Sequence, residues 1–144
     1  MAAVAHLTLD AARAAAREVA EAYGLDLVVL FGSAARDGFA AAGDVDVGVR
    51  AARPTDWLAL YEAFASRLAT EAVDVVDLRR ASATLQVQAA GDAVVLFERR
   101  PGEFDAFYTL AGRRFDDARK FREAERAYIR DYLRERGLLP EPAT

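Results

Sequence analysis

The stretch Leu27–Val49, LVVLFGSAARDGFAAAGDVDVGV, decides how the rest of the chain is read. Its opening, Leu27 to Phe31, is an apolar run stopped by Gly32-Ser33, which predicts a short buried strand. Ten residues follow Ser33, and then Asp44-Val45-Asp46 opens a second apolar run. Side chains alternate along a strand, so Asp44 and Asp46 project from one face while Val45, Val47 and Val49 enter a core. Two carboxylates side by side repel each other unless a cation lies between them, and hard oxygen donors suit magnesium or manganese. Gly32 lets the backbone approach a ligand closely, and Ser33 offers a hydroxyl and an amide to a phosphate at a helix start. A phosphate cradle beside a dicarboxylate cation site is the equipment of phosphoryl or nucleotidyl transfer.

The Gly-Ser pair, the ten-residue interval and Asp44-x-Asp46 together resemble the signature of the DNA polymerase β-like nucleotidyltransferases. The length and ending of the chain look like the minimal nucleotidyltransferases, the small partners of HEPN-domain toxins. This resemblance implies a polymerase β-like nucleotidyltransferase fold of the α/β (α+β) class, a small mixed sheet packed with helices. It implies ATP as substrate and magnesium as cofactor, with two ions held and manganese as a substitute. The implied acceptor is a tyrosine hydroxyl of a HEPN toxin, silenced by receiving AMP, with this chain as the antitoxin. Two positions depart from the pattern: Asp37 stands where relatives commonly have glycine, and Gly43 where they have serine. Gly38 supplies the missing flexibility one residue later.

The resemblance also implies a third acid on a neighbouring strand. The run Val73-Asp74-Val75-Val76-Asp77-Leu78 carries two candidates, and a carboxylate inside an apolar strand is costly unless it binds something. Asp74 matches the family's place best. Asp77 has the opposite parity and faces away from a regular strand, although a β-bulge would exchange the two. The expected catalytic and metal-binding set is therefore Asp44, Asp46 and Asp74, with Gly32, Ser33 and Arg36 on the nucleotide. Arg36 lies one turn into a short helix predicted from Ser33 to Asp37. It either reaches the phosphates or is an exposed helix arginine.

The remaining segments surround this centre. A helix is predicted over 8–23, with Thr8 as cap, Asp10 at the positive end of the dipole and Gly24 as stop. His6, the single histidine, reads as a terminal surface residue, and without a partner it excludes serine–histidine catalysis. Pro54 and Thr55 introduce a helix to about Thr70 whose stripe Trp57, Leu60, Tyr61, Phe64 and Leu68 is core. A short helix over 82–90 and a strand from Asp92 to Phe97 complete a core of about 8–98. After Pro101-Gly102, two helices are expected, about Glu103–Gly112 and Phe115–Arg136, as a C-terminal extension of about 103–136. Their apolar face, Phe104, Phe107, Tyr108, Phe121, Tyr128, Ile129, Tyr132 and Leu133, either covers the sheet or meets a partner, and self-packing is the simpler use. The tail from Leu138 to Thr144 is expected to fray.

Composition bounds the function. A 144-residue chain with 53% hydrophobic and 29% charged residues suits one globular domain, here the whole of 1–144. The lack of cysteine excludes disulfides and thiolate metal sites. No run is apolar enough to span a membrane or to serve as a secretory signal, so a cytoplasmic location is expected. A net charge of −4 argues against general nucleic-acid binding. The charge is uneven: Arg113 to Arg136 holds nine basic against six acidic residues, a surplus of +3, so the remainder carries −7. Three other functions stand beside the favoured one. They are transfer to a small molecule, as in aminoglycoside nucleotidyltransferases, a non-catalytic toxin-binding module, and, least favoured, a nucleic-acid-binding regulator.

Overall fold

The computed structural model describes residues 4–140 and 142. Nine elements follow one another: α1 (Leu9–Tyr23), β1 (Leu25–Phe31), α2 (Gly32–Asp37), β2 (Val45–Ala51), α3 (Trp57–Leu68), β3 (Val73–Asp77), α4 (Ala83–Asp92), β4 (Val94–Glu98) and α5 (Glu103–Glu135). The strands form one mixed sheet in the order β3-β2-β1-β4. β1 is antiparallel to both its neighbours, and β2 and β3 are parallel, joined through α3. This is the small mixed α/β sheet that the sequence implied.

Local chemistry explains why the elements begin where they do. Thr8 caps α1 by accepting the amide of Ala11, Asp56 caps α3 by accepting that of Ala59, and Ser82 caps α4 by accepting that of Leu85. β1 lies inside the sheet with helices on both faces, so its residues read as a continuous apolar run instead of an alternation. On one face Val28, Leu30, Val45, Val47 and Val49 pack with α1 and α3 around Val19, Leu60 and Phe64. On the other face Leu27, Val29 and Phe31 pack with Leu78, Ala89, Ala90, Phe107 and Ala111. The predicted stripe of α3 divides: Leu60, Phe64 and Leu68 are buried, and Trp57 and Tyr61 half-buried at its rim.

Four expectations need correction. The C-terminal segment is one continuous helix of 33 residues, not two. Gly112, read as a break, sits inside it at a cost of about 1 kcal/mol relative to alanine, too little to stop a helix flanked by good formers. That helix covers the sheet only near its start, where Phe107 and Ala111 are buried; Phe121, Tyr128, Ile129 and Tyr132 are exposed. Gly91 and Asp92 belong to the end of α4, so β4 starts at Val94. His6 is exposed as expected but not free, since its ring nitrogen bonds the carbonyl of Leu68 at 2.8 Å and ties the start of the chain to the end of α3. Of the tail, Leu138 and Leu139 are exposed, and Glu141, Ala143 and Thr144 lie outside the described residues.

Candidate functional site

The site lies where β1 ends, α2 begins and the parallel strands β2 and β3 start. Parallel register places Asp46 directly opposite Asp74. Both therefore project from the same face, and Asp44, two residues before Asp46, joins them from the loop. Each of Asp44, Asp46 and Asp74 offers a carboxylate oxygen, and these atoms lie within 4.8 Å of one another. Asp77 goes elsewhere. It pairs with Val49, whose side chain enters the opposite core, and its carboxylate accepts the amide of Arg79 at 3.0 Å in the turn after β3.

Gly32 is part of the same arrangement. Its φ of +72° is a conformation that side chains oppose, and a Cβ there would stand 2.2 Å from Oδ2 of Asp46. The carboxylate thus lies against the bare backbone at the junction of β1 and α2, beside Ser33. Gly48, next after Asp46 on this face of β2, is also forced: a Cβ would fall 2.7 Å from Cδ2 of Leu78. Leu78 fills that space and closes the site off along the strand.

The three carboxylates are held together against their mutual repulsion. Burial pushes the Asp46 carboxyl above its ordinary 3.8, the charges of Asp44 and then Asp74 push it the same way, and Arg36 pulls it down. Arg36 is thus near enough to be felt, yet its guanidinium pairs with the Asp92 carboxylate at 2.7 Å, fastening α2 to the end of α4. Asp92 was not anticipated. It lies 56 residues from Arg36 in the chain, and no local pattern announces such a pair. Three all-oxygen anionic donors on two strands and a loop fit a hard divalent cation. The carboxylates supply the attraction, and the bare backbone of Gly32 makes room for that of Asp46.

Residues 16–101 match the family described as Polymerase beta, Nucleotidyltransferase, and the chain belongs to that family. The match takes in both aspartate-bearing strands and ends just before α5. Among solved structures, the chain is similar to a toxin–antitoxin complex with AMP-PNP, at 26% identity and a TM-score of 0.63, covering 84% of this chain and 97% of that one. It is also similar to the complex of a tri-AMPylated Shewanella oneidensis HEPN toxin with its MNT antitoxin. There the identity is 26% and the TM-score 0.61, with 88% of this chain and 98% of that one covered. A third is an MntA–HepT toxin–antitoxin complex at 26% identity, a TM-score of 0.59, and 86% and 97% coverage. No curated protein matches the chain significantly.

Proposed function

We propose that this chain is a magnesium-dependent nucleotidyltransferase that moves AMP from ATP to a protein hydroxyl. The acceptor in this reading is a tyrosine of a HEPN-domain toxin, which the chain neutralises as its antitoxin. The observation that carries the proposal is the convergence of Asp44, Asp46 and Asp74 on one point beside the bare backbone of Gly32. Membership of the nucleotidyltransferase family supports the chemistry, and the AMPylated HEPN toxin in a similar complex supports the acceptor.

In this reading Asp44 and Asp46 hold the cation that accompanies the triphosphate, and Asp74 completes the set. Bound there, magnesium neutralises phosphate charge and lowers the pKa of an acceptor hydroxyl, as in two-metal sites. The chain's own residues do the rest. Gly32, Ser33 and the start of α2 receive the β- and γ-phosphates, and Arg36 adds positive charge beside them. Asp74, on the open edge of the sheet, takes the proton of the acceptor hydroxyl. The acceptor oxygen bonds to the α-phosphorus while its bond to the β-phosphate oxygen breaks, and pyrophosphate leaves. Positioning and charge neutralisation supply most of the rate.

The test is transfer from α-labelled ATP, with and without magnesium, to a purified HEPN-domain toxin of the kind found in the similar complexes. Label on that protein only with magnesium is the expected result. Label on a small hydroxylated molecule instead would move the reading to the aminoglycoside-type alternative, and binding of the HEPN protein without label would leave the non-catalytic module.

A further inference from the structure

A cavity of about 340 Å³ lies between the ends of β2 and β3 and the helices α4 and α5. Arg50, which lines it, shares the Asp46 face of β2 but stands four residues further on, roughly 13 Å along the strand. Leu78, packed against Gly48, occupies the interval and forms one wall of the cavity. This place is therefore separate from the carboxylate set.

The lining divides into two kinds. Leu78 and Phe107 are buried and, with the half-exposed Leu110, make an apolar side. The charged lining is wholly cationic, consisting of Arg50, Arg79 and Arg114. Arg50 is paired with Glu103 at the start of α5. Among the described residues, neither Arg79 nor Arg114 pairs with a carboxylate.

The fourth polar residue of the lining, Gln86 on α4, is the decisive one. It is 2% exposed, the one polar side chain buried among the described residues. Its Nε2 donates to the carbonyl of Leu78 at 2.6 Å, which settles the orientation of the amide. Its Oε1 is left buried with no hydrogen-bond partner among the described residues. Unpaired buried acceptors are rare in native proteins, because such a group has lost water and gained nothing. A helix that had only to pack would carry an apolar residue here.

We infer that this cavity binds a small organic anion with a flat apolar body and an N–H or O–H group. Its charge meets the guanidinium groups of Arg79 and Arg114, its body lies against Phe107 and Leu110, and its N–H or O–H donates to Oε1 of Gln86. The volume is at the lower end of the roughly 300–1,000 Å³ of small-molecule sites, which suits a ring with one charged group. Arginines alone would accept any anion. The buried acceptor makes the site selective, since a pocket built to bond a donor rejects analogues without one. Phosphate and carboxylate supply the same charge, so nucleoside monophosphates and aryl carboxylates share this chemistry. The site does not depend on the transfer reaction proposed above.

The test is titration calorimetry of the intact chain in EDTA, which removes divalent cations, with AMP, indole-3-acetate and inorganic phosphate as separate probes. AMP or indole-3-acetate is expected to bind, and the tighter of the two identifies the preferred anion. Inorganic phosphate, which has no ring, should bind at least about tenfold more weakly. Replacing the exposed Arg79 and Arg114 together by alanine should weaken the ring-bearing probe at least about tenfold. Gln86→Leu keeps the volume and removes the acceptor, and a loss of about tenfold is expected there too. Should that variant fail to fold, the arginine pair decides alone. Asp46→Asn should bind as the wild type does. Absence of binding by both ring-bearing probes in the millimolar range overturns the proposal. So does binding that the arginine double variant retains in full, that Asp46→Asn abolishes, or that inorganic phosphate matches.

Discussion

The carboxylate end of the sheet and the outer half of α5 are both regions that local chemistry disfavours, and they are disfavoured in opposite ways. At the strand ends, like charges are gathered by rigid backbone: register fixes Asp46 against Asp74, and the bare turn at Gly32 admits the carboxylate. On the helix, the rings of Phe121 and Tyr128 stand largely in water, and Tyr132 is covered by the guanidinium of Arg136 at 3.8 Å. Charge crowded against charge is relieved by a small cation, and that relief needs a geometry held in advance. Apolar surface is relieved by another macromolecule and needs little beyond a stripe on one side. Accordingly the first region is built from two strands and a loop, and the second from one helix that touches the body only at its root.

Single substitutions act on the carboxylate end in graded ways. The largest effect is expected from Asp46→Asn, which removes a donor from the centre of the carboxylate set and should reduce transfer to background while leaving the fold intact. Gly32→Ala comes next. It introduces a Cβ into the space of the Asp46 carboxylate at a positive φ, so magnesium-dependent ATP binding should be lost and stability should fall by about 1–3 kcal/mol, read by denaturant titration. Third, Asp74→Asn should lower kcat by about 10²-fold, the scale of a positioned base, with ATP binding largely spared. Asp77→Asn, whose carboxylate caps the turn at Arg79, should stay within a few-fold. The reverse ranking in that pair, measured at saturating ATP and magnesium, would transfer the third role to Asp77.

The smallest effect concerns the metal-free protein. The Asp46 carboxyl is raised above its unfolded value of 3.8, so folding favours its protonated form. Its contribution to stability is fully present below 3.8 and is lost as pH rises through the raised folded value. Above that window the charged group is a burden, and Asp46→Asn should leave the melting temperature unchanged or a few degrees higher. Magnesium should raise the wild-type melting temperature and not that of the variant. A variant that melts clearly lower at neutral pH would mean that Asp46 holds the fold together.

Most of the site was legible because it depends on short spacings. The interval from Gly32-Ser33 to Asp44-x-Asp46 is a pattern within one stretch, and parity alone separated Asp74 from Asp77 once β3 proved regular. What could not be read were relations across long intervals. The Arg36–Asp92 pair joins two helices that are neighbours only in the folded chain. Leu78 over Gly48 depends on β2 and β3 lying side by side. The exposure of α5 was hidden for another reason. An amphipathic stripe records that a surface is to be covered and does not say by what, so Phe107 and Tyr128 looked alike until one proved buried and the other open.

The position of β3 at the margin of the sheet has a consequence for how the carboxylate set can come apart. β3 is bonded to the sheet through β2 alone, whereas β2 is held on both sides. Opening of this five-residue strand breaks a single ladder and would leave the apolar centre around β1 intact. Asp74 would depart with it, and Asp44 and Asp46 would stay behind as an incomplete set. The amides of β3 should therefore exchange with solvent faster than those of β1. Each such opening is a moment when the carboxylate set is dismantled while the molecule remains folded, so the fraction of protein with a complete site can be lower than the fraction of folded protein.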